Sequence, residues 1–180
     1  MRAAVLVFGF LCCAPAAWAE RRELAMGVQP MFAAAYLPKQ AAQGGGGIAH
    51  MQYGVTDAVS ILVFGGASYH VVSALPDDKQ PEGSLLSWHA NVGVSYALDI
   101  VRIQPFFEAA VGLFAQNTQI GKDRATRLDA GVSVGVGADY LLSRRVSFGF
   151  VFRYHGIVTD LGNIPLYLTV GPRIQLRFWP

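Results

Sequence analysis

Cysteine is almost absent from this chain, and charge is scarce. The two cysteines of its 180 residues, Cys12 and Cys13, stand side by side. Both fall inside the first nineteen residues, so a chain cleaved after Ala19 carries no thiol and no disulfide framework into an oxidising compartment. Charged side chains make up 14% of the sequence, against about 25% in an ordinary soluble domain. The fourteen basic and twelve acidic residues nearly cancel, which leaves no basic stripe to recommend nucleic acid as a partner. Long apolar runs are missing as well. Hydrophobic residues reach 53%, yet no uninterrupted stretch approaches the ~18 residues of a membrane-spanning helix. Such a chain either buries a large core or crosses a membrane with strands, and the pattern of its residues decides between the two.

The amino terminus reads as a leader. Arg2 is followed by an apolar stretch from Ala3 to Cys13 and by Ala17-Trp18-Ala19 just before Glu20, the pattern of a secretory signal peptide with an A-x-A cleavage site. The expected division is residues 1–19 as signal peptide and 20–180 as one domain. Phe10-Leu11 before Cys12 does not supply the small residues that a lipid-attachment site needs.

What the sequence has in abundance is alternation. Leu166, Leu168, Val170, Pro172, Ile174, Leu176 and Phe178 fall on one face of a strand, while Tyr167, Thr169, Gly171, Arg173, Gln175 and Arg177 fall on the other. The same period of two predicts eight strands, at Leu24 to Tyr36, Gly47 to Val55, Val59 to Val72, Ser84 to Leu98, Val101 to Gln116, Leu128 to Leu142, Val146 to Val158 and Pro165 to Phe178. Tight turns at Thr56-Asp57-Ala58, Asp99-Ile100 and Ser143-Arg144-Arg145 alternate with longer loops over Leu37 to Gly46, Ser73 to Gly83, Asn117 to Arg127 and Thr159 to Ile164. Short turns at one end and long loops at the other, with apolar faces too numerous for one small core, describe an eight-stranded antiparallel up-and-down transmembrane β-barrel, all-β in class. An even strand count puts both termini on the periplasmic side.

Aromatic residues fall at strand ends. Tyr53, Tyr96, Tyr140 and the pair Phe178-Trp179 end strands in one direction; Tyr36, Tyr69 and Tyr154 end strands in the other, and Trp88 begins one. Amphipathic rings favour the membrane–water interface. Eight residues separate Trp88 from Tyr96, roughly 20 Å along a tilted strand, close to the ~25 Å apolar band of an outer-membrane barrel.

The inward faces carry Arg102, Glu108, Asp129, Asp139, Arg153, Arg173 and Arg177. An eight-stranded barrel is just wide enough for side chains to fill, so these are expected to pair with one another, with Glu108 and either Arg153 or Arg173 first. The four histidines, His50, His70, His89 and His155, are expected to face inward near the loop end. No H-x-H spacing occurs among them, so no metal site and no cofactor is assigned. Nor does a serine follow His155 in the His-Ser-Asn pattern of barrel deacylases, and no nucleophile–base pair is specified that would make the chain an enzyme.

On the signal peptide, the eight alternating segments and the aromatic-ended last strand, the chain resembles the small eight-stranded outer-membrane β-barrel proteins, the OmpA/OmpX/OmpW-like group. The resemblance implies an outer-membrane location, lipid contacts, a monomer, and a carboxy-terminal strand read by the barrel-assembly machinery. Trp179-Pro180 extend beyond the aromatic that fits this signal. It further implies an envelope-structural or surface-interaction role. A narrow channel for a small solute or ion is the alternative, and a secreted lipocalin-like ligand-binding barrel a second.

Overall fold

Alternating sequence becomes eight strands in the computed structural model, which describes residues 23–37, 40–74, 83–98, 102–120, 123–159 and 166–178. They are β1 (Leu24–Leu37), β2 (Gln40–Gly54), β3 (Val59–Ala74), β4 (Gly83–Ala97), β5 (Ile103–Ile120), β6 (Asp123–Leu141), β7 (Val146–Ile157) and β8 (Leu166–Phe178). Each pairs antiparallel with its sequence neighbours, and β1 closes on β8 to complete the barrel. The expected leader, the long loop around Asp77, the Asp99-Ile100 turn and the last two residues lie outside the described residues.

The barrel is inverted relative to a soluble protein. Phe32, Val63, Val92, Phe107, Val111, Leu113, Val134, Phe150 and Ile174 are exposed on the outside, while Arg153, Arg173, Glu108 and Asp139 are buried within. A lipocalin-like barrel needs the opposite arrangement, apolar faces turned inward to a ligand. An apolar exterior of this extent matches lipid rather than water.

Two expected loops turn out to be strand. Gln40 to Gly46, most of the expected Leu37 to Gly46 loop, lies inside β2, and Asn117 to Arg127 is mostly the paired ends of β5 and β6. Glycine composition suggests freedom, but an apolar surround demands that every backbone amide find a partner. Here Gly44 pairs with Ala33 on one side and His70 on the other. The absent side chains are also a fit: a Cβ on Gly44 would lie 1.8 Å from the Tyr69 carbonyl oxygen, and one on Gly46 1.9 Å from that of Ala67. Gly44→Val is therefore expected to leave β2 unpaired and the refolded chain open to protease. Gly45→Ala, whose nearest neighbour would be the Met31 carbonyl at 3.4 Å, is expected to refold to a protected band.

The short turns are fixed by their own side chains. Thr56 Oγ1 accepts hydrogen bonds from the amides of Ala58 and Val59, and Ser143 Oγ from those of Arg145 and Val146, as hydroxyl residues do at turns. The closing seam is less regular. Its register runs from Leu24↔Phe178 to Val28↔Ile174, breaks, and resumes from Phe32↔Val170 to Tyr36↔Leu166. Pro30 and Pro172 stand in the break, and neither has an amide proton to give the ladder.

Candidate functional site

The lumen is where the chemistry collects, because alternation sends every second residue of all eight strands into a space that only side chains fill. Its centre is a charge layer. Arg153 Nε donates to Glu108 Oε2 at 2.7 Å, and Arg173 Nη1 donates to Glu108 Oε1 at 3.0 Å. Arg173 also grips both oxygens of Asp139, its Nε at 2.7 Å from Oδ1. Arg153 Nη1, on β7, donates past β8 to Gln29 Oε1 on β1. The guanidinium of Arg173 sits 3.7 Å from the centroid of the Phe106 ring, and that of Arg153 4.8 Å from Phe64, both within cation–π range. All four charged groups are buried, and their charges balance, two cations against two carboxylates.

The other expected charge candidates take different places. Asp129 is held by Arg127 and Thr159 near the long-loop end. Arg177 reaches Glu23 and Gln104 at the short-turn end. Arg102 is a correction: it is exposed in the turn before β5, outside the lumen, because β5 begins only at Ile103. Of the seven, the barrel brings four together: Glu108, Asp139, Arg153 and Arg173.

Towards the long-loop end the charges give way to rings and hydroxyls. His155 packs 4.9 Å from Tyr167 and 5.3 Å from His89, centroid to centroid. Ser133 donates to Asn91 Oδ1 and meets His155 Nδ1 at 2.7 Å; Thr169 Oγ1 lies 3.1 Å from Nε2 of the same ring. Ser68 bridges His70 Nε2 at 2.7 Å and Tyr167 Oη at 2.9 Å. Reasoning from sequence found no such serine–histidine contacts, since the partners lie on different strands or two residues apart on one. They have nucleophile–base distances, and every member is buried.

His50 is a second correction. It lies in the short-turn half of the barrel, opposite Gly27 and bonded to Gln175 Nε2 at 2.9 Å, because β2 begins at Gln40 rather than Gly47, which leaves His50 in its second half. The four imidazoles therefore do not converge. Beyond the rings, Ala33, Ala35, Ala42, Val72, Leu85, Phe114 and Tyr167 form an apolar plug. At the opposite end a polar cavity of about 480 Å³ reaches inward to Phe106, Asp139 and Arg173, where the charge layer forms its floor.

Outside, Tyr53, Tyr96, Tyr140 and Phe178 are exposed at the short-turn end, joined in register by Ile61, Val59, Ile103 and Leu24. Tyr69 and Trp88 are exposed and Tyr154 half-buried towards the other end. The side chain of Tyr36 and the whole of Trp179 lie outside the described residues.

No protein-family model and no curated protein sequence matches the chain. Solved structures do. Neisserial surface protein A superposes with a TM-score of 0.70 at 15% identity, over 86% of this chain and 97% of that one. Ail, the attachment invasion locus protein of Yersinia pestis, gives 0.62 at 9% identity over 88% and 99%. The N-terminal β-barrel domain of Pseudomonas aeruginosa OprF gives 0.52 at 13% over 88% and 98%. At these identities the likeness concerns fold: the chain has the architecture of the small eight-stranded outer-membrane barrels, consistent with the OmpA/OmpX-like group.

Proposed function

We propose that this chain is a non-enzymatic integral protein of the bacterial outer membrane, with a filled lumen and both termini on the periplasmic side. It serves envelope structure or surface interaction through its long-loop end. The observation that carries the reading is the inversion of the barrel, with paired charges inside and large hydrophobics outside. The length-matched barrels among the solved structures support the location. Interaction specificity in such a scaffold belongs to its loops.

The filled lumen argues against the channel alternative. Between the short-turn cavity and the long-loop end lie the Arg153 and Arg173 layer, the His155 and Tyr167 rings and the plug around Phe114. The full chain refolded into phospholipid vesicles is expected to give a protease-protected band with heat-modifiable mobility, and in planar bilayers no reproducible conductance step. Stable unitary steps would overturn the filled-lumen reading. A chain that stays soluble without detergent or lipid would overturn the membrane reading itself.

A further inference from the structure

We propose that the short-turn rim along β5 to β8 is a docking surface for the headgroups of anionic phospholipids in the adjoining leaflet. This rests on the membrane reading above and adds to it which lipids the barrel holds.

Three arginines meet on this rim. The Arg102 carbonyl accepts from the Leu141 amide at 2.9 Å, which sets Arg102 beside the end of β6; the turn leaving that strand carries Arg144 and Arg145. The Arg145 carbonyl in turn accepts from the Arg177 amide at 2.9 Å, extending the arc to β8. Arg102, Arg144 and Arg145 are exposed, and among the described residues none of the three has an ion pair. The turn is not a loose tether, because the Ser143 hydroxyl pins the amides of Arg145 and Val146.

Among the described residues no carboxylate contacts Arg102, Arg144 or Arg145. Asp57 lies in the turn between β2 and β3, Glu23 is held by Arg177 where the arc meets β1, and along the arc Asp139 is turned inward onto Arg173. Directly beneath the arginines the outer wall presents Ile103, Tyr140, Leu142, Phe148, Leu176 and Phe178, all exposed. An apolar and aromatic band seats in the acyl and interfacial region, so cations one turn beyond it lie at the depth of the phosphates. Guanidinium groups bind phosphate oxygens through paired donors. A zwitterionic headgroup offers the same phosphate with its own cation attached, whereas an anionic one leaves the arginines' charge to be balanced by lipid.

The test uses the full chain folded in a neutral detergent and titrated with dihexanoyl phosphatidylglycerol or dihexanoyl phosphatidylcholine, with the thermal unfolding midpoint as readout. Phosphatidylglycerol is expected to raise the midpoint at concentrations where phosphatidylcholine does not, and the preference to shrink with added salt. In the triple variant Arg102→Gln, Arg144→Gln, Arg145→Gln the preference is expected to fall on the order of a hundredfold, at roughly fivefold per charge. Arg144→Gln alone, at the exposed turn, is the variant to use should the triple fail to fold, with about a fivefold loss expected. Equal response to the two lipids, an undiminished preference in the variant, or the same shift from inorganic phosphate would each overturn the proposal. Failure to insert into neutral vesicles would instead defeat the membrane reading beneath it.

Discussion

Glu108→Leu is expected to destabilise the folded barrel by about 3–5 kcal/mol, the range seen when one partner of a buried charge pair is removed. Glu108 is the carboxylate shared by Arg153 and Arg173. Without it Arg173 keeps Asp139, but Arg153 keeps only Gln29 and stays buried with no counter-charge. The urea midpoint for unfolding from vesicles is the measurement. Glu108→Leu with Arg153→Leu removes one charge of each sign and is expected to recover a large part of the loss, since a neutral apolar pair in place of an ion pair is often tolerated. Equal stability of the single variant and the parent would mean that the network contributes nothing to the fold.

Val111→Arg is the complementary change, made on the outside. Val111 is 59% exposed, so on a soluble protein the substitution would cost almost nothing. Its row in the sheet, Met51, Val63, Val92, Val111 and Val132, crosses the wall midway between the aromatic ends. At the bilayer midplane an arginine on the lipid face costs about 2–4 kcal/mol, falling to about 0–1 near the interfaces. Leu128→Arg, at the level of Trp88 and more exposed still at 69%, is therefore expected to be nearly neutral. Unfolding midpoints of the two variants in one vesicle preparation separate the readings: depth sets the loss if lipid surrounds the wall, and neither variant loses stability if water does.

Much of this was legible because the strand period is local. The faces of β4, β6, β7 and β8 can be read by taking every second residue, and Glu108, Arg153 and Arg173 fall inward by that rule alone. What was not legible depends on relations between strands. Gly44 to Gly47 has the composition of a loop, and only the close approach of β3 explains glycine there. Arg102 was misplaced by a two-residue error in where β5 begins, which separates a lumen position from an exposed turn. His50 went to the wrong end because β2 starts at Gln40 rather than Gly47. The meeting of Gln29 with Arg153, on strands far apart in sequence, depends on how the barrel closes, and no periodicity within either strand contains that information.

The proline break in the seam has a consequence for how the barrel would come apart. Gln29 and Arg173, next to Pro30 and Pro172, are lumen-facing residues on the two edges of that break, and both are bonded to other strands inside the barrel, Gln29 to Arg153 on β7 and Arg173 to Asp139 on β6 and Glu108 on β5. Side chains thus tie the two edges of the seam to β5, β6 and β7 at the level where backbone bonds cannot. The proline break depends on lumen contacts made away from it, so strain there would be released by unzipping between the first strand and the last, starting from Val28 and Phe32. Backbone amides flanking the break would then exchange with solvent ahead of their neighbours on the central strands.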